Sequence, residues 1–288
     1  MKAKAIFSRE CDFYKENLDV WKKAAAALNG GRNYLKNVLK KHPSETEDEH
    51  KARVDASYNI NLIKYSTGRF GDYIFSKPPR RENAKLNIVQ DFDRRKAHAD
   101  SVMRTIFDYH TIFSLVWVFV DMPEFEGNLI NVKTKEVQKV RPYVRVVPPM
   151  AVPDWSFNEV GELDWVILSE RVIEKSDPFM QDEEIERRIL YTKHYWQRFE
   201  KRLKEGVSYK DRYTAYPPVP NQLGRVPVIP YSELLPENIV TTPEIADILT
   251  VHDAVLFGES ELLTNILKQT YGQLVLPAST RGTVQAIK

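Results

Sequence analysis

The 288-residue chain has one cysteine, Cys11, and no apolar run long enough to cross a membrane. A single thiol excludes an internal disulfide and a zinc site built from cysteines. The longest near-continuous apolar run, residues 112–120, has nine residues, whereas a membrane-spanning helix needs about 20. The N-terminal residues 1–4 are not followed by the apolar segment of a signal peptide. We therefore expect a protein of the cell interior or of a virion, without membrane contact.

Motifs of nucleotide and hydrolase chemistry are also missing. The Gly-Gly pair at residues 30 and 31 is followed by Arg32-Asn33-Tyr34 rather than by the remainder of a phosphate loop. There is no G-x-S-x-G nucleophile motif. The six histidines have no spacing of three or four residues that would place two of them on one helical face around a metal. We therefore expect no enzyme activity, no metal and no cofactor.

One arrangement comes close to a metal-dependent nuclease. Asp154 precedes a strand that ends in Glu174-Lys175. Neighbouring residues of a strand point to opposite faces, so Glu174 and Lys175 cannot both face one metal ion. A turn aspartate is the favoured interpretation of Asp154, and the nuclease remains an alternative.

The charge is distributed unevenly, although the net charge is only +2. Residues 1–100 hold 21 Lys and Arg against 14 Asp and Glu, whereas residues 101–288 hold 21 against 26. The short basic clusters Arg80-Arg81 and Arg94-Arg95-Lys96 have acids close by. They favour a solvated helical face over a phosphate-binding site.

No Lys or Arg occurs between Arg225 and Lys268. That stretch contains seven acidic residues: Glu233, Glu237, Glu244, Asp247, Asp253, Glu259 and Glu261.

The first hundred residues predict helices. A periodic segment over residues 13–28 ends at Gly30-Gly31, a typical helix C-terminus. Ser44 and Glu47 fit a capping box, followed by a long helical segment towards Phe75. Alternating charges over residues 91–108, with apolar residues at helical spacing, predict a further helix.

The middle of the chain predicts strands. Residues 112–120, 141–147, 163–173 and 188–199 are rich in β-branched and aromatic side chains. Residues 154–161 read as a turn-rich connection, and the prolines of residues 226–230 indicate a sheet edge. Trp117, in the middle of the first run, is expected to be buried.

The last predicted element is a helix over residues 243–271. Thr242 is a suitable N-cap, Pro243 suits the first helical position, and Gly272 suits the C-terminal end. Gly258 in its interior indicates a bend or a close contact. The predicted fold class is α+β: N-terminal helices, a mixed or antiparallel sheet, then one long C-terminal helix.

An ordered set of stretches carries a family resemblance. They are residues 21–34, residues 70–79 (FGDYIFSKPP), the strand 115–120 closed by Asp121-Met122-Pro123, Arg141-Pro142-Tyr143, Val147-Pro148-Pro149-Met150, Asp154-Trp155, the strand after Gly161, residues 223–228 (LGRVPV), and the helix from Pro243 into Leu274-Val275-Leu276. Together they resemble the N-terminal part of the portal protein, the head-to-tail connector, of tailed double-stranded-DNA bacteriophages.

The resemblance implies a domain organisation. Residues 1–110 would be the helical part of an α+β wing, residues 111–232 its sheet, and residues 243–271 the first stem helix. Residues 272–288 would begin a clip-like segment, truncated relative to the family. The implied function is a non-enzymatic subunit of a ring, usually a dodecamer, through which DNA is packaged and ejected.

The resemblance also implies partners and a location. These are other copies of the chain, double-stranded DNA that slides without sequence preference, a separate terminase motor, the capsid and tail adaptor proteins. The location would be the portal vertex of the virion, after assembly in the host cytoplasm. The alternatives are the phage nuclease and a monomeric α+β interaction protein.

The periodicity of the last helix divides it into two expected faces. Residues expected to look into a DNA channel are Glu244, Asp247, Thr250, Glu261, Asn265 and Lys268. Residues expected to pack between subunits are Ile245, Ile248, Leu249, Leu256, Leu262, Leu263 and Ile266. The part of the channel face from Glu244 to Asn265 has no cation. This suits sliding DNA, because Lys or Arg contacts to phosphates give tight, salt-dependent binding.

Overall fold

The computed structural model describes residues 2–80, 86–121, 141–174, 182–203, 212–232 and 245–271. The protein is α+β, with helices and antiparallel sheets and a long C-terminal helix. The helices are α1 (Lys2–Phe7), α2 (Asp12–Asn29), α3 (Gly31–Val38), α4 (Glu47–Ala56), α5 (Leu62–Ile74), α6 (Leu86–Gln90), α7 (Ala99–Phe113) and α8 (Ile245–Tyr271). The strands are β1 (Leu115–Asp121), β2 (Tyr143–Val147), β3 (Asp154–Phe157), β4 (Leu163–Glu174), β5 (Glu183–Thr192), β6 (Tyr195–Arg202), β7 (Tyr213–Ala215), β8 (Val219–Pro220) and β9 (Val228–Ser232).

The chain forms two compact units. The first unit comprises residues 1–28 and 62–249, and the second comprises residues 29–61 and 250–288. The boundaries of these units differ from the predicted domain boundaries, which placed residues 1–110 in one domain. Helices α3 and α4 belong with most of α8 rather than with the other N-terminal helices.

The first unit contains two antiparallel sheets. The smaller has the strand order β2-β1-β9, and the larger has the order β3-β4-β5-β6-β7, with β8 also paired to β6. Strand β1 is central in its sheet, with Trp117 opposite Val147 of β2 and Pro230 of β9. Its central position explains why β1 is almost continuously apolar, since both of its neighbours are paired and both faces are covered.

Large aromatic side chains form the core of the first unit. Trp117 is fully buried, as predicted, and its ring centroid lies 5.1 Å from that of Trp155 on β3. Trp21 of α2 is also fully buried, and its Nε1 donates to the carbonyl of Phe113 at 3.2 Å. Phe13 contacts both Trp21 and Trp155 edge-on, so α2 is fixed against α7 and β3.

The predicted helix over residues 13–28 is confirmed as α2, which ends at Asn29. Gly30 and Gly31 both have positive φ, at 63° and 81°. A side chain is disfavoured in that conformation, which explains the glycine pair.

The capping box predicted at Ser44 and Glu47 is wrong, because the structure forms it at Thr46 and Glu49. The N-cap of α4 is Thr46, whose hydroxyl accepts from the Glu49 amide while the Glu49 carboxylate accepts from the Thr46 amide. The side chain of Ser44 instead hydrogen-bonds His42, and Glu47 pairs with Lys41 at 2.6 Å.

The predicted continuous helix towards Phe75 is interrupted between α4 and α5. Ser57 adopts an extended conformation at the end of α4, and its hydroxyl donates to the carbonyl of Arg53 at 2.7 Å. The chain leaves the second unit and enters the first at this break. The helix predicted from residue 91 also begins later, at Ala99, capped by His98.

Two predictions in the sheet region need correction. Asp154 begins strand β3 and is not a turn residue. The single strand predicted over residues 188–199 is a hairpin of β5 and β6, closed at Thr192, whose hydroxyl accepts from the amides of His194 and Tyr195. Strands β2, β4 and β9 lie where the sequence predicted them.

Cys11 has low expected reactivity because burial raises the pKa of its thiol to about 11. The thiolate is the reactive form, and only a small fraction is present near pH 8. In the folded protein, iodoacetamide should alkylate Cys11 at least tenfold more slowly than in protein unfolded by urea, as measured by mass spectrometry. Equal rates in the two states would contradict the buried environment.

Candidate functional site

Helix α8 is the candidate functional element. Its 27 residues give a length of about 40 Å at 1.5 Å per residue. The predicted N-cap residues and Glu244 lie outside the described residues. Within α8, burial divides the residues into three faces rather than the two that periodicity indicated.

The first face of α8 is buried inside its own chain. It consists of Ile245, Leu249, His252, Leu256 and Ser260, spaced four, three, four and four residues apart. Ile245, Leu249 and Leu256 were expected to pack between subunits. The structure places them inside the packing of a single chain, so they are corrected to internal core residues.

An apolar face remains exposed on α8. In the second unit it is formed by Val251, Val255, Leu262 and Ile266, which are 44–64% exposed. Ile248 lies on the same line of the helix and is also exposed, whereas Leu263 is half-buried. The spacings of four, seven and four residues follow the heptad pattern of helices that pack side by side.

Gly258 lies on the edge of the exposed apolar face. A Cβ atom built there has no heavy atom within 4 Å, so the space beside the backbone is open. The described residues therefore show no close contact that requires a glycine at this position, contrary to the close contact expected from the sequence.

The third face of α8 is polar. Asp247, Thr250, Asn265 and Lys268 are exposed, and their place at a DNA channel stays a prediction. Glu261 is half-buried, and its Oε1 lies 3.7 Å from Nη1 of Arg53. Within the single chain, the Glu261 carboxylate therefore contacts Arg53, although the sequence predicted that it faces a DNA channel.

Arg53 anchors α8 within the second unit. The guanidinium is 3% exposed and donates to both carboxylate oxygens of Glu45, at 2.7 and 2.9 Å. It also donates to Ser260 Oγ of α8 at 3.1 Å and to the carbonyl of Lys40 at 2.9 Å. Four acceptors compensate for burying the charge, as a buried cation requires.

The Arg53 guanidinium holds the pKa of Glu45 at about 2, below its ordinary value of 4.5. A hydrogen bond from the guanidinium stabilises the ionised carboxylate, which makes Glu45 a stronger acid. Glu45 therefore remains charged and keeps its bidentate contact at any pH above about 3.

A second anchor joins α3 to α8. The Tyr34 hydroxyl donates to Asp253 Oδ1 at 2.5 Å and lies 3.3 Å from Nδ1 of the buried His252. Burial and the Asp253 carboxylate both raise the pKa of Tyr34, because they disfavour the phenolate. These anchors fix which face of α8 points inward.

Sequence patterns did not indicate Arg53, Glu45 or Tyr34 as anchors of α8. Arg53 is about 200 residues from Ser260 in sequence, so no local spacing connects them. The only available signal is the apolar context around Val54, which indicates a partly buried helix but not its partner.

The residues of the nuclease alternative are not brought together. Asp154 is buried and pairs with Arg9 at 2.6 Å, and its register partner on β4 is Ile167. Glu174 lies seven residues further along β4 and is exposed, which corresponds to about 23 Å at 3.3 Å per residue. These two carboxylates cannot share one metal ion.

Neither a metal-ligand cluster nor a membrane-spanning helix occurs in the described part of the chain. Within residues 2–80, 86–121, 141–174, 182–203, 212–232 and 245–271, no group of three or more His, Cys, Asp or Glu side chains is arranged to hold a metal ion. Among the helices of those same ranges, none is both long and apolar enough to cross a membrane.

Comparison with known proteins adds no family assignment. No protein-family model matches the chain, and no curated protein is significantly similar to it.

Proposed function

We propose that this protein is the subunit of a phage portal ring, through which double-stranded DNA is packaged and ejected. The observation that supports this most strongly is the three-faced helix α8. One face is buried in its own chain, one is apolar and exposed, and one is polar and has no cation before Lys268.

The exposed apolar face favours assembly with other copies. Contiguous exposed apolar surface usually marks an interaction site. The heptad spacing of Val251, Val255, Leu262 and Ile266 is suited to a neighbouring helix. Repetition of one such contact in a head-to-tail manner generates a ring when the rotation closes.

The polar face favours a surface past which DNA slides. Fixed cations facing phosphates would hold the duplex by salt-dependent contacts. The exposed residues Asp247, Thr250 and Asn265 offer no such contacts over about 27 Å of helix. Repulsion by Asp247 in each copy would keep phosphates away from the wall.

Geometry sets a lower bound on the copy number. A DNA duplex is about 20 Å wide and a helix with side chains about 10 Å. Helix axes around such a bore lie on a circle roughly 30 Å across, so about nine or more helices are needed to close it. The dodecamer usual among portal proteins satisfies this bound.

The proposed ring is a conduit without catalytic activity. Packaging would be driven by a separate terminase motor, and the ring would also contact the capsid and tail adaptor proteins. The proposed location is the portal vertex of the virion, reached after assembly in the host cytoplasm.

A single charge reversal on α8 tests the channel function. Asp247→Lys should leave ring assembly intact, because Asp247 is exposed and lies outside the apolar face. DNA packaging should fall at least tenfold, and the loss should be relieved by added salt, because ammonium groups facing phosphates bind them by counterion release. Packaged DNA per particle and ring mass by mass photometry measure the two effects.

The matched control is Glu159→Lys. Glu159 is exposed in the turn between β3 and β4 and undergoes the same change of charge. Packaging should be normal in this control. Normal packaging by well-formed Asp247→Lys rings would contradict a channel-facing α8, and a monomeric wild-type protein would favour an interaction module instead. Glu261→Lys is unsuitable, because a new cation would lie beside buried Arg53.

A further inference from the structure

The cluster Arg94-Arg95-Lys96 occupies a tight turn and not the solvated helical face expected from the sequence. Arg94 and Lys96 both have positive φ, at 63° and 70°. Asp93 Oδ1 accepts from the amides of Arg95 at 2.8 Å and Ala97 at 3.0 Å. Asp91 Oδ1 accepts from the amide of Lys96 at 2.8 Å.

Two non-glycine residues with positive φ in one turn are unfavourable, by an amount on the order of 1–3 kcal/mol each. Two aspartates hold the turn in this conformation through its backbone amides. The turn therefore presents three consecutive exposed cations in a fixed arrangement, rather than on a mobile loop.

Among the described residues, these three cations have no carboxylate partner. No Asp or Glu oxygen of the described ranges lies within 4.0 Å of a side-chain nitrogen of Arg94, Arg95 or Lys96. Asp91 instead pairs with Arg141 at 2.5 Å. The guanidinium of Arg94 lies 5.5 Å from the centroid of the Tyr143 ring, which orients it without neutralising it.

A cavity of about 250 Å³ lies beside this turn, between the turn, α7 and β2. Its lining includes Arg95, the hydroxyl-bearing residues Ser101, Thr105 and Tyr143, and Arg145. The Tyr143 hydroxyl already donates to Asp121 at 3.1 Å. Ser101 and Thr105 are one helical turn apart on α7, so their side chains lie on one face of that helix.

Arg145 also lines this cavity, and its guanidinium is already paired with carboxylates. Its Nη1 donates to Glu170 at 2.5 Å, and Asp121 lies 4.0 Å from its Nη2. Its Nε is buried and has no hydrogen-bond partner among the described residues. A buried donor without an acceptor is unfavourable, and in native proteins it usually has a ligand or water as its partner.

We propose that this cavity binds a phosphate group. Arginine is the side chain best suited to phosphate oxygens, because its planar donors match their geometry. The hydroxyl of Ser101 provides a further donor, whereas that of Thr105 already donates to the Ser101 carbonyl at 3.0 Å. Asp93, the one carboxylate in the lining, already accepts from two backbone amides of the turn.

The cavity size favours a phosphate over a larger ligand. Pockets for drug-sized molecules have volumes of about 300–1,000 Å³, and this cavity is smaller. The phosphate can belong to a small molecule or to a nucleic-acid backbone, and the test distinguishes these sources. The inference does not depend on ring formation or on helix α8.

Isothermal titration calorimetry with inorganic pyrophosphate at constant ionic strength tests the site. The wild-type protein should bind with one site per chain. Arg95→Glu should weaken binding at least tenfold, because it removes a charge-assisted donor and adds repulsion. Ser101→Ala should weaken binding about two- to fivefold, the loss of one neutral hydrogen bond. Circular dichroism confirms that each variant is folded.

Lys22→Glu is the matched control, because Lys22 is exposed on α2 and undergoes the same charge reversal. It should bind pyrophosphate like the wild type. Equal weakening by Lys22→Glu and Arg95→Glu, or no binding by the wild type, would overturn the proposal. Displacement of pyrophosphate by a 12-base-pair duplex supports the site with backbone phosphate as its source, and absence of displacement supports a small phosphorylated ligand.

Discussion

Replacing Trp117 with alanine should lower the free energy of unfolding by about 3–5 kcal/mol, the usual effect of removing a large aromatic side chain from a core. Trp117 is fully buried at the centre of β1 and contacts Trp155 across the core. Its removal leaves a cavity between two sheets that the paired neighbours β2 and β9 hold in place. Urea unfolding followed by far-ultraviolet circular dichroism measures the effect.

Trp117→Phe separates the contribution of side-chain volume to stability from the contribution of the indole nitrogen. The indole Nε1 is buried without a hydrogen-bond partner among the described residues. Loss of this donor leaves no acceptor unpaired, so only the smaller ring volume matters. The phenylalanine variant should therefore lose about 1–2 kcal/mol. A soluble alanine variant with the stability of the wild type would show that β1 is not in the core.

The second large effect is expected in the second unit. Arg53→Met should destabilise it by about 3–5 kcal/mol, because Glu45 would remain in the network without its guanidinium partner. Ser260 Oγ and the Lys40 carbonyl also lose their donor. Hydrogen exchange of the α3, α4 and α8 amides, which reports local stability, should accelerate in the variant.

Arg32→Met is the matched control for Arg53→Met. Arg32 also pairs with a carboxylate of the second unit, Asp55 at 2.9 Å, but both side chains are more than half exposed. Exposed pairs contribute about 0–1 kcal/mol, so exchange should change little. Similar effects of the two substitutions would contradict a special role for the buried pair.

The pH dependence of the Arg53 effect follows from Glu45. Its pKa is about 2 in the folded protein, against 4.5 ordinarily. A lowered pKa stabilises the folded state above the ordinary value, and this contribution is lost as pH falls towards 2. The stability difference between wild type and Arg53→Met should therefore be largest above pH 5 and decrease from about pH 5 to pH 2.

Strong local signals predicted much of the fold. Helix α2, with glycines at its end, and the apolar strand β1 were predicted because the residues that determine each element lie within one short segment of the chain. Strand β3 was missed because it has only four residues and begins with Asp154, a residue typical of turns. Its carboxylate is stabilised by Arg9, which is 145 residues away in sequence.

In helix α8, the periodicity of the apolar residues does not predict which of them are buried inside the chain. Its apolar residues cover more than half of the helix circumference, and periodicity treats them as one stripe. The structure divides that stripe into an internal face through Leu249 and Leu256 and an exposed face through Val255 and Leu262. The division depends on Arg53 and Tyr34, which come from distant segments and fix the rotation of α8.

The discontinuous second unit has a consequence for synthesis on the ribosome. Its two segments, residues 29–61 and residues from 250 onward, are separated by about 190 residues. At 5–20 residues per second, α3 and α4 emerge roughly 10–40 s before α8 is available to them. During that interval Leu35, Leu39 and Val54 lack the Phe257 side chain that later packs against them. The nascent chain therefore exposes apolar side chains on two helices, and we expect it to need a chaperone until translation passes α8.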